Sequence, residues 1–198
     1  MGLQGRPSFR EKLYFKADDA KRREKMREKL AQAAKLVADR QAIAETLKVD
    51  DDELVSEIHD LGFDGDSARV FDLLPLIHVS WADGKIQKNE RSTILAVLEA
   101  RGIEPGSEAS LLVESLLESQ PAPEYMAASL LLLREFLASR GEQAGDVVEL
   151  CVKVADAAGG LLGLGSRISE EERELLQQIA DTLGAEAQKH FAGQLSGK

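Results

Sequence analysis

The sequence predicts an all-α protein, a bundle of about seven to eight helices built from two pseudo-symmetric helix–loop–helix repeats and preceded by a long basic N-terminal helix. Aromatic residues make up only 5% of the chain, and Leu, Ala and Glu dominate, a composition that favours helices over sheets. Apolar residues recur at three-to-four spacing, and no stretch alternates with the period of two that a strand requires. Gly62, Gly84, Gly102, Gly141 and Gly184 fall between the periodic segments.

Residues 1–8 hold Gly2, Gly5 and Pro7 and read as a disordered N-terminus. Residues 9–48 read as a basic amphipathic arm. From Phe9 to Leu47 there is no Gly or Pro, and Met26, Leu30, Ala33, Val37, Ala44 and Leu47 form one narrow apolar stripe, interrupted at Arg40. A helix of thirty-odd residues is about 45 Å long at 1.5 Å per residue, more than a small body spans, so part of it is expected to project or to pair with another chain. The arm reads first as a solvated helix that packs its stripe on the body, with docking to a partner helix, an anionic surface or nucleic acid as the alternative.

Residues 49–66 read as a short helix and connector. Asp50–Glu53 suits the positive end of a helix, and Gly62 suits its stop. Asp66 or Ser67 is expected to cap the next helix, which runs through Val70, Phe71, Leu73, Leu74, Leu76, Ile77, Val79 and Trp81. That helix is apolar nearly all round and so belongs at the centre of the core, with Pro75 kinking it or shifting its start. Further helices are expected from Lys88 to Arg101, Ser107 to Ser119, Pro123 to Arg140, Glu142 to Ala158, Ser169 to Gly184 and Ala185 to Phe191. Ser169 and Glu172 form a Ser-x-x-Glu capping box. Gly159–Gly165 reads as an apolar loop that plugs the core, with exposed docking as its rival, and 194–198 as a flexible tail.

The 198 residues suffice for one large domain, or one domain with an appendage. The longest apolar run, Tyr125–Leu133, is about half of the roughly 20 residues that a membrane helix needs. The polar N-terminus does not read as a secretory signal, and Arg6 stands where a myristoylation motif wants Ser or Thr. The lone Cys151 has no internal disulfide partner and reads as a small buried hydrophobe, so a cytoplasmic protein is expected. The net charge of −10 conceals a split: residues 1–48 carry +6 and residues 49–198 carry −16. An acidic body disfavours nucleic acid and attracts cations or basic partners.

The most chemical stretch is Ala82-Asp83-Gly84-Lys85-Ile86-Gln87-Lys88-Asn89-Glu90. Two carboxylates bracket a tight turn, at a spacing that lets both reach one cation. It is not an EF-hand loop, because Val79 and Trp81 stand where further oxygen ligands are needed. Later in the chain Ile168, Glu172 and Arg173 repeat Ile86, Glu90 and Arg91, while Gly165 stands in place of Asp83. The two segments read as repeats spanning about 67–119 and 142–184 of a domain at 67–193.

This pattern resembles the TerB-like (tellurite-resistance protein B) family, whose hallmark is Ala-Asp-Gly-x-Ile-x-x-x-Glu between two helices, usually present twice. The first copy matches; the second keeps Ile168 and Glu172 but lacks the Asp-Gly. The resemblance covers roughly 67–184 and leaves the basic arm outside. It implies a bundle of about seven helices, a module tied to stress responses and membrane-associated complexes, a suspected divalent-cation site and no enzymatic activity.

The residues themselves admit two accounts. Asp83-Gly84 makes a good helix-ending turn, Ile86 a core plug and Glu90 a helix cap, which explains the pattern without metal. Alternatively Asp83, Glu90, Asp156 and Glu172, completed by water, hold Ca²⁺ or Mg²⁺ weakly. His78 reads as a satisfied core histidine. No zinc-type Cys/His cluster, nucleophile elbow or phosphate loop is present, so no enzyme is expected. The leading expectation is an interaction module with a protein partner. The alternative is a metal-free scaffold that dimerises or docks through the basic helix, at residues 17–47, with peripheral rather than transmembrane contact to membranes.

Overall fold

Helix boundaries follow the caps that the sequence supplies. The structure, a computed structural model, describes residues 9–140, 144–159 and 168–196. It is all-helical, with no strand among the described residues. None of its described helices is long and apolar enough to cross a membrane. The expectations placed on residues 1–8 and on the loop at 160–165 lie outside the described residues.

The chain divides into two units, residues 1–39 and 40–198. The first consists, where described, of helix α1 up to Asp39; α1 as a whole is Phe9–Leu47. Within it Asp18 and Arg22 form an i,i+4 ion pair at 2.8 Å. The stripe residues Met26, Leu30 and Val37 are each about two-thirds exposed, at 66%, 65% and 65%.

The second unit begins with the end of α1, where Ile43 and Leu47 are buried. Lys48 takes a left-handed φ of 55°, and the Val49 N–H donates to Ala44 O at 3.1 Å, which closes the helix by a 6→1 bond. Helix α2 (Asp52–Asp60) starts on Asp51, whose carboxylate accepts from the N–H groups of Glu53 and Leu54. Gly65 then passes so close to α1 that a Cβ added there would lie 2.6 Å from the Ala42 Cβ.

The central apolar segment is two elements rather than one kinked helix. A 3₁₀ helix, Ser67–Leu73, precedes α3 (Leu74–Ser80), with Pro75 in the first turn of α3. Proline's missing N–H costs nothing at that position, so the helix begins there. The expected cap by Asp66 or Ser67 needs correction. Asp64 accepts from the Ser67 N–H at 2.9 Å, and Ser67 Oγ accepts from the Asp64 N–H at 2.8 Å. Asp66 instead accepts from the Ala109 N–H at 3.0 Å, serving a helix forty-three residues later.

The remaining elements are α4 (Lys88–Ala100), α5 (Glu108–Glu118), α6 (Pro123–Arg140), α7 (Ala144–Gly159), α8 (Glu170–Leu183) and α9 (Ala185–Ser196), the last longer than the sequence suggested. Helix α3 sits at the middle of the core, packed against α4, α6, α7 and α8, and α9 covers α7 and α8. Phe71 lies at the aromatic centre, edge-on to Phe63 at 5.3 Å and to Phe136 at 5.9 Å. Cys151 is fully buried, and burial pushes its thiol pKa well up, as befits a packed hydrophobe rather than a nucleophile.

Candidate functional site

The candidate loop is built by the way α3 stops. Ala82 donates to Val79 O and Gly84 to Trp81 O, at 3.0 and 2.9 Å, and Gly84 takes a φ of +79° that a side chain would resist. The Trp81 indole N–H donates to Leu116 O at 2.9 Å, which fixes this corner to the last turn of α5. Asp83 is exposed, and its carboxylate accepts from the Lys85 N–H at 3.3 Å. Ile86 is half-buried against the core. The Glu90 carboxylate then turns back to accept from the Gln87 N–H at 2.7 Å, closing the start of α4.

The start of α8 has the same arrangement. Ile168 is half-buried against the core, the Ser169 hydroxyl accepts from the Glu172 N–H at 3.1 Å, and the Glu172 carboxylate accepts from the Ser169 N–H. The residues equivalent to Asp83 and Gly84 lie outside the described residues.

Glu90 and Glu172 are both buried, at 2% and 6% exposure. Burial raises the Glu90 pKa to about 7; the bond from Gln87 N–H opposes that shift, while the negative charges of Glu172 and Asp83 add to it. Of the four carboxylates read from the sequence, Glu90 and Glu172 thus share one buried region and Asp83 acts on it from the exposed turn. Asp156 is half-exposed on α7. Among the described residues no three His, Cys, Asp or Glu side chains converge to hold a metal ion. The donor set suits at most a water-rich site on one or two carboxylates, the manner in which Mg²⁺ is often held, and not an all-protein cage.

His78 departs from its expectation. It is half-buried on α3 and its Nδ1 is buried without a hydrogen-bond partner, while desolvation lowers its pKa and keeps it neutral. The helical period revealed its depth but not its missing partner.

Comparison with the curated proteins and with the solved structures gave no match. The sequence model of the family described as tellurite resistance protein TerB matches residues 73–192, more than half of the chain. The match begins in the central apolar segment, takes in both capping boxes and ends within α9. This chain therefore belongs to the tellurite resistance protein TerB family.

Proposed function

We propose that the protein is a non-enzymatic interaction module of the tellurite-resistance type whose α4–α8 corner takes up a divalent cation weakly. The observation that carries this reading is the burial of two like charges, Glu90 and Glu172, in one region of an acidic body. Two anions taken out of water repel each other, and a hard cation relieves that cost as a proton does. Each carboxylate uses one oxygen in its cap, and Asp83 lies at the exposed mouth of the turn, where a hydrated ion enters. Water would complete the shell of Mg²⁺ or Ca²⁺. In this reading α4 and α8 are equivalent helices of a duplicated hairpin. The cation ties the starts of the two helices together and so tunes the surface offered to a partner.

The test is calorimetric titration of Mg²⁺, Ca²⁺, Mn²⁺ and Zn²⁺ into the wild type and into the Asp83→Asn/Glu90→Gln variant, with melting curves alongside. Heat and a rise in Tm at millimolar Mg²⁺ or Ca²⁺, both lost in the variant, are expected. No heat and no Tm change at millimolar metal contradicts the cation reading.

A second reading rests on a separate observation, the exposure of Met26, Leu30 and Val37 on α1. In it the basic helix docks a partner, with or without metal at the other site.

A further inference from the structure

Four of the six exposed large hydrophobic side chains among the described residues, Met26, Leu30, Leu36 and Val37, lie within twelve residues of α1. Lone exposed apolar residues need no explanation, but a cluster on one helix marks a surface that something covers. At about 100° per residue, Met26, Leu30, Ala33 and Val37 fall within a sector about 60° wide, spaced four, three and four residues apart. That is the seam of a two-stranded coiled coil. Leu36 lies outside the seam, about 90° from its centre.

Charge selects the occupant. On the same wheel Arg22 and Lys29 flank the seam on one side, and Arg23 and Arg27 on the other, all within about 100° of its centre. The acids of this stretch, Glu24 and Glu28, lie on the far side of the helix, about 150–170° from the seam centre. A second copy would set Arg22, Arg27 and Lys29 against their own kind at the flanking positions, where like charges oppose pairing. An acidic helix meets them with opposite charge and covers the seam with its own apolar stripe.

We propose that residues 22–37 of α1 form a docking seam for an acidic amphipathic helix of a partner protein, and not for a second copy of this chain or for a lipid surface. The proposal rests on the reading of α1 as a docking helix and names its partner's chemistry.

The experiment uses the full chain and three probes. The first is a synthetic four-heptad peptide with Leu at the seam positions and Glu at the flanks, which its own charge keeps unfolded when alone. The second is vesicles containing about 30 mol% phosphatidylglycerol, an anionic surface of the kind that basic helices bind. The third is the protein itself, followed by sedimentation equilibrium. Binding of the acidic peptide with a gain in helicity is expected, weakened about tenfold or more between 0.05 and 0.5 M salt, since rim charges are screened. Met26→Gln/Leu30→Gln, which keeps good helix formers on an exposed surface, is expected to weaken binding by about tenfold or more. Peptide binding that the double variant leaves unchanged overturns the seam. Self-association or vesicle binding without peptide binding overturns the choice of partner but leaves α1 a docking helix. No association with any probe overturns both.

Discussion

Glu90 and Glu172 hold the same position in two helix starts, the third residue of α4 and of α8, and the charge of Glu172 bears on the Glu90 carboxylate. Each closes its helix by accepting the N–H three residues before it, so each is held inward by a local bond. The capping turns both carboxylates back onto the helix starts, and the packing of the helices then buries them.

This arrangement predicts a pH dependence with a definite sign. The ordinary Glu value is 4.5 and the folded value about 7. Between them the folded protein holds a proton that the unfolded chain releases, so stability falls as pH rises through this window. Below it both states are protonated; above it neither is, and the loss is complete, of the order of 3 kcal/mol at about 1.4 kcal/mol per pKa unit. In chemical denaturation from pH 4.5 to 8, Glu90→Gln is expected to flatten this slope. Near pH 8 it should be more stable than the wild type by about 1–3 kcal/mol, since Gln also serves in a capping box.

Ser169→Ala removes the acceptor for the Glu172 N–H at the start of α8. A loss of about 1 kcal/mol is expected in urea denaturation, the usual worth of a Ser cap. Ser169→Asp, which supplies another good cap, should cost less than half of that.

The Trp81 indole satisfies Leu116 O, one of the last four carbonyls of α5, which the helix itself leaves open. Trp81→Phe keeps the ring but strands that carbonyl. It is expected to lower stability by about 1–2 kcal/mol, and in the wild type the indole N–H should exchange slowly with solvent in NMR spectra.

Gly65→Ala sets a methyl 2.6 Å from the Ala42 Cβ, which is rigidly attached to α1. A loss of about 1–3 kcal/mol is expected by thermal denaturation. Ala42→Gly in the same chain should recover that loss less about 1 kcal/mol, the intrinsic cost of glycine inside a helix.

Most of the helices are legible in the sequence because their ends are local chemistry. Asp51, Ser107 and Ser169 cap the N–H groups two or three residues ahead, and Gly62, Gly84, Gly102 and Gly184 take the positive φ that ends or turns a helix. Pro75 marks a boundary by itself, although whether it kinks one helix or starts another depends on the 3₁₀ geometry before it. Contacts between distant residues are not legible in this way. Nothing near Asp66 says that it caps Ala109, and nothing near His78 says that its Nδ1 lacks a partner. At the candidate site the turn and both caps follow from spacing. The depth of Glu90 and Glu172 does not, because it depends on how the helices pack.

If Glu90 and Glu172 form a buried like-charged pair that a cation relieves, the titration of Glu90 reports it. The most direct measurement is the NMR titration of the Glu90 side-chain carboxyl carbon from pH 4 to 9, with and without millimolar Mg²⁺. A midpoint near 7 is expected, moved to lower pH by the metal and by Glu172→Gln. A midpoint near 4.5 that neither the metal nor Glu172→Gln moves would contradict it.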